Sequence, residues 1–220
     1  MNARGIAMLA GLVLLAAISL MALVAASGML VQKQMAANFA QGANALENSE
    51  IAMSYASAWL YSRSNHEREA HCIVDCLLPV AFHNMGEVPA LPEYESAAWW
   101  RNNAVEAGLN PISGESAIST GDMGSEPPRW ILEELSFQAA DGAYEDGTEG
   151  IGYYRILGRG TGAHPSSVAV TESIVARPWG GSYTLSAFPH DPDMDNFCQQ
   201  FAPDLSPSLD CGRLAWRQRR

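Results

Sequence analysis

IAMLAGLVLLAAISLMALVAASGMLV, residues 6–31, carries no charged side chain, and its reading decides how the rest of the chain is understood. As a helix rising about 1.5 Å per residue it is roughly 39 Å long, more than the roughly 30 Å of a bilayer's hydrocarbon core. A cleaved secretory signal has a shorter apolar region and a small-residue cleavage site at its far end. The run is therefore expected to span a membrane. Arg4 stands before it and little opposing charge follows, which predicts a cytoplasmic N-terminus and an exported remainder.

Outward from this run, the helix is expected to continue. No proline occurs before Pro79. Beyond Lys33, apolar residues recur at Met35, Phe39, Ala43, Leu46, Met53, Ala56 and Leu60, in steps of three, four or seven. Glu50 falls on or beside that face. The spacing predicts one helix from Ile6 to about Tyr61, oily first and amphipathic after, with Gly28 and Gly42 as soft points. The expected organisation is a leader at 1–5, a membrane helix at 6–31, its amphipathic continuation at 32–63 and one globular domain at 64–220. A plain membrane anchor with a stalk, carrying an exported binding domain, is read from the same pattern.

The whole chain has 220 residues, with 13 basic against 24 acidic side chains and a formal net charge of −11. That balance excludes nucleic-acid binding through phosphate contacts, which needs clustered Lys and Arg. Arg213, Arg217, Arg219 and Arg220 form the only basic cluster, and they read as a charged tail. Four cysteines, Cys72, Cys76, Cys198 and Cys211, suggest disulfides in an oxidising compartment. Three pairings are open. Cys198 with Cys211 is expected because their short separation makes the bridge entropically the easiest, and closing that loop would restrict the unfolded chain by about 3 kcal/mol in the chain-entropy model. That leaves Cys72 with Cys76 as the residual pair. Zinc on Cys72, Cys76, His66 and His71 is disfavoured by loose spacing.

In the globular part, Tyr94–Ala107 is expected to form a short helix with Trp99 and Trp100 on its buried side, and 110–128 a loop. Three strands are expected at Arg129–Phe137, Gly152–Arg159 and Ser167–Arg177, the last richest in β-branched residues. Their short separations suit an antiparallel meander. The fold class is thus α+β: a long N-terminal helix, transmembrane then amphipathic, on a small C-terminal antiparallel sheet.

Enzyme motifs are missing: there is no Gly-x-Ser-x-Gly, Walker loop or His-Glu-x-x-His. Asp191, Asp193 and Asp195 imitate the start of a calcium loop. Asn196 stands where that loop needs Gly, however, and Ala202 where it needs Glu, so the segment reads as an acidic turn. No catalytic residue, metal or cofactor is expected.

Arg4-Gly5-Ile6, the apolar helix, Met35-Ala-Ala-Asn38 and Ala45-Leu-Glu-Asn-Ser-Glu50-Ile-Ala-Met together resemble the type IV pilin class, and within it the minor pilins of the PilX family. The order Tyr-Arg-Ile, Gly-Arg-Gly-Thr-Gly, Val-Ala-Val over the later strands is similar to the C-terminal half of PilX-like proteins. The resemblance implies a prepilin-like leader, cut between Gly5 and Ile6 by a prepilin peptidase that methylates the new amine. It also implies a pilin-like fold with an exposed disulfide-bounded loop near the C-terminus. The protein would sit in the inner membrane with a periplasmic C-terminus, then move into a pilus. Its partners would be other minor pilins, the major pilin and a large PilY-type tip adhesin. Glu50 stands at the family's Ala-Glu-Ala-Ala-like step. Ala10 stands where pilins usually carry Glu, a departure shared by minor pilins of the PilX type and by tip pseudopilins of type II secretion. The implied function is a non-enzymatic minor pilin that initiates, and stands at the tip of, a type IV pilus. A minor pseudopilin of a type II secretion tip is the alternative.

Overall fold

The computed structural model describes residues 3–63, 82–83, 86–109, 124–139, 150–179, 198 and 211–219. Cys72, Cys76, His66, His71 and the 191–196 acidic segment lie outside the described residues. Helix α1 runs from Ala3 to Ser62 and includes Gly5, Ile6, Ala10, Gly28 and Gly42. The chain divides into two compact units, Met1–Gln41 and Gly42–Arg220, so α1 contributes its first part to one and its last 21 residues, from Gly42 to Ser62, to the other.

In the first unit the large apolar side chains are exposed, Leu12 through Val31 among them. The two hydroxyls of the uncharged run are satisfied within the helix. Ser19 Oγ donates to Leu15 O and Ser27 Oγ to Val24 O, each at 2.8 Å. No side-chain donor there is left to oppose transfer into lipid.

In the second unit the end of α1 lies on a sheet. Its strands are β1 (Phe82–His83), β2 (Val105–Glu106), β3 (Arg129–Ala139), β4 (Gly150–Thr161), β5 (Val168–Trp179) and β6 (Gly212–Arg219). Strands β3 to β6 run antiparallel in sequence order. The far edge of β3 takes β1 in parallel, at Leu132 and Glu133, and β2 antiparallel, at Arg129 and Trp130. The three expected strands are present, each running two residues further at its C-terminal end; β3 starts as expected, β4 two residues earlier and β5 one residue later. The expected helix at 94–107 is shorter. A 3-10 turn at Pro92–Tyr94 leads into α2 (Ala97–Asn103), whose N-cap Ser96 accepts a hydrogen bond from Trp99 N at 3.1 Å.

Side chains alternate across the sheet, so β3, β4 and β5 each serve two cores. On one face Trp130, Leu132, Tyr154, Ile156 and Val175 pack against Ala52, Met53, Ala56, Trp59 and Leu60 of α1. On the other, Ile131, Leu157 and Val170 pack against Val88, Ala104 and the buried Trp100 beside α2. Trp100 is fully buried and Trp99 only partly so.

The end of α1 is held by β5. Tyr61 Oη donates to Ala176 O at 2.8 Å, and burial raises the phenol's pKa well above its ordinary value. The buried Arg177 guanidinium stacks 3.5 Å from the centre of the Trp179 ring and donates to the carbonyl of Arg63. This places a positive charge at the helix's negative end, where it satisfies a carbonyl that has no partner in the helix.

Candidate functional site

Of the face that apolar spacing predicts for α1, Met53, Ala56 and Leu60 are buried against the sheet, whereas its N-terminal members are exposed. Met35 is 66% exposed, Phe39 80% exposed, and Ala43 exposed as well. Burial starts at Ala45 and continues through Ser49, Ala52, Met53 and Ala56. From Ala45 to Ser49 the helix and the sheet approach closely. Gly158 and Gly160 on β4 bring that strand's backbone against the helix backbone. A Cβ on Gly160 would land on Ala45 O and Ser49 N and lie 2.7 Å from Asn48 C; one on Gly158 would land on Ser49 O. Small residues, Ala45 and Ser49, fill such a seam.

Polar groups lock the seam in register. Asn48 Nδ2 donates to Thr161 O at 2.7 Å, and Thr171 Oγ1 donates to Ser49 O at 3.4 Å. Thr161 in turn carries the 124–126 segment: Glu126 N donates to Thr161 Oγ1, and Thr161 Oγ1 to Glu126 O, both at 3.0 Å. Glu126 then bridges Arg159 at 2.8 Å and Arg101 at 3.0 Å. The hydrogen bond from Arg159 is the main reason its carboxyl titrates below the ordinary range.

The second feature is the C-terminal strand. Cys198 and Cys211 are joined by a disulfide, with Cα atoms 5.7 Å apart, and β6 begins at the next residue, Gly212. The arginine-rich tail is therefore a strand of the sheet. Arg219, at its end, contacts Glu93 at 2.8 Å and Ala90 O at 2.6 Å, and also pairs with Glu172. Burial works against its charge, but the two carboxylates outweigh it and raise its pKa. Arg217 pairs with Glu172 at 2.8 Å. Glu50 sits at the margin of the seam, where its Oε1 accepts from Trp216 Nε1 at 2.7 Å.

Gly5, Ile6 and Ala10 lie together in the first turns of α1, far along the chain from Glu50 and the cysteine pair. These residues do not form one constellation; they serve different parts of the molecule. Asn48, Thr161, the two seam glycines, Arg219 and Trp216 are structurally prominent residues that the apolar-periodicity reading passes over. The stripe Ala45, Ser49, Ala52, Ala56 and the Gly158-x-Gly160 pair are the marks that could have disclosed them. Among the described residues, no group of three or more His, Cys, Asp or Glu could hold a metal ion.

Compared with known protein families, residues 42–182 match the family model described as type IV pilus assembly protein PilX, C-terminal part. The matched stretch takes in the whole seam and β1 to β5, and stops before Cys198 and β6. A search of curated proteins found no match, and no solved structure matches the chain.

Proposed function

The chain belongs to the PilX family of type IV pilus assembly proteins, and from that membership we propose that it is a minor pilin which helps start a pilus and stands at its tip. A pilus assembly protein of this kind is a structural component that works among other pilus components. The observation that carries the proposal is the division of labour along α1. One continuous helix offers an uncharged, exposed first part and builds its last part into the sheet through the Gly158–Gly160 seam.

In this reading the peptidase cuts between Gly5 and Ile6 and methylates the Ile6 amine. Residues 6–31 wait in the inner membrane with the 64–220 domain on the periplasmic side, and then enter the filament core. The folded domain meets other minor pilins, the major pilin and a large tip adhesin. Glu50 holds the tail strand to the assembly helix. The function requires no cofactor and no catalytic group.

Tip position rests on Ala10. In a pilin with Glu at that place, a carboxylate at membrane depth costs about 2.5–3.5 kcal/mol on insertion scales unless it is paired. By family resemblance its partner is the amine of a subunit already assembled. A subunit with Ala10 has no carboxylate to offer such an amine, yet still presents its own amine to the next arrival. It is suited to go in first. Immunogold labelling of sheared pili tests this: label confined to one end is expected, and label scattered along the shaft overturns the tip assignment.

A further inference from the structure

We propose that the outer edge of β6 is a docking edge for an extended, acidic segment of another pilus subunit, which adds to the sheet as a further strand. This deepens the pilin reading and rests on it. Strand β6 ends the sheet order, so among the described residues it pairs on one side alone. The Ala215 carbonyl is turned inward, where Ser173 Oγ donates to it at 3.0 Å. Successive residues alternate, so Trp216 and Gln218 direct their N–H and C=O groups outward. Those groups ask for another extended backbone.

Side chains define the charge of that backbone. In a chain of net charge −11, the exposed residues of this edge, 213–218, include two arginines and no acidic residue, with Leu214, Ala215 and Trp216 apolar and Gln218 uncharged. Arg213 makes no ion pair or hydrogen bond among the described residues, and the Arg217 side chain is 62% exposed despite its contact with Glu172. Leu214 and Trp216 are each 46% exposed. Edges protected against pairing carry charged side chains, Lys above all, Pro or bulges. This one has a register shift at Leu214, but from Ala215 to Arg219 it pairs regularly with β5, carries Arg and Trp, residues enriched where proteins meet, and has neither Lys nor Pro.

The edge is also held ready. The disulfide fixes its start, Arg219 clamps its end to Glu93 and Glu172, and Glu50 holds Trp216. A template fixed before docking loses little conformational freedom on binding.

The test uses the full chain in piliated cells, with a photocrosslinking phenylalanine analogue at position 218 and, as control, at exposed position 102 on α2. Peptide mapping of the crosslinked product is expected to find an extended segment rich in Asp and Glu from another pilus subunit at 218, and not at 102. A product at 218 that maps to a helix or to a segment without acidic residues overturns the proposal, as does an absence of product. A second comparison places the crosslinker at 214. Gln218→Pro removes an outward N–H that β5 does not use, and is expected to cut yield about fivefold, the worth of one backbone hydrogen bond, while the disulfide still forms. Arg213→Glu with Arg217→Glu is expected to cut it further. Unchanged yield in both variants overturns the proposal. Cleavage at Gly5, scored in the same cells, reports on the pilin reading separately, because that cut is at the other end of the chain from the edge.

Discussion

At the scale of single residues, three glycines of α1 and β4 separate space from conformation. Gly158 and Gly160 have ordinary backbone angles, so what forbids a side chain there is the α1 backbone itself. Replacing Gly160 with Val is expected to cost at least about 2 kcal/mol, because a helix backbone cannot yield as a side-chain tip can. Gly42 lies in the same helix with nothing within 4 Å of its missing Cβ. Gly42→Ala is expected to be neutral or stabilising by up to about 1 kcal/mol. Urea unfolding of the two variants checks both signs.

Glu126 supplies a pH dependence at this same scale. Its carboxyl is held below the ordinary range by Arg159, so the folded state favours the charged form. The resulting stability is present above the unfolded carboxylate's pKa, about 4.3, and is lost as pH falls through the lower, folded value. Wild type is expected to lose this increment below about pH 4.3, and Glu126→Gln to show none of that loss. Parallel unfolding curves for the two proteins from pH 7 to pH 3 would contradict it.

At the scale of elements, legibility followed how far each element carries its own preference. The uncharged run and the β-branched β5 are readable because composition alone selects them. β3 and β4 are readable with less sharp ends, since Gly150, Gly152, Gly158 and Gly160 dilute the pattern of β4. Two-residue β1 and β2 exist through pairing with β3 and leave no periodic trace. By composition β6 reads as a charged tail, because its arginines dominate the count. They are strand residues because Glu172 and Glu93 receive two of them across the sheet. The apolar spacing of α1 marks Met53, Ala56 and Leu60, which are buried, and passes over Ala45 and Ser49, the small residues that meet β4 most closely. Disulfide closure next to Gly212 gives a further expectation for β6. Reducing the Cys198–Cys211 bridge should raise amide exchange at 212–214 more than at 217–219, where Arg219 still clamps the strand. Equal loss of protection along β6 would show that the bridge does not fix its start.

At the scale of the whole molecule, one continuous helix carries both a membrane-compatible segment and the start of the family-matched domain. In the proposed reading the chain is a processed pilin-class subunit, with Arg4-Gly5 as the end of a leader and Ile6 as the first mature residue. Gly5→Leu should leave a precursor that stays in the membrane. The most direct measurement is N-terminal sequencing, with mass determination, of the protein extracted from membranes and from sheared pili. A mature chain starting at methylated Ile6 is the predicted result. An intact Met1, or a cut beyond Val31, would contradict the account.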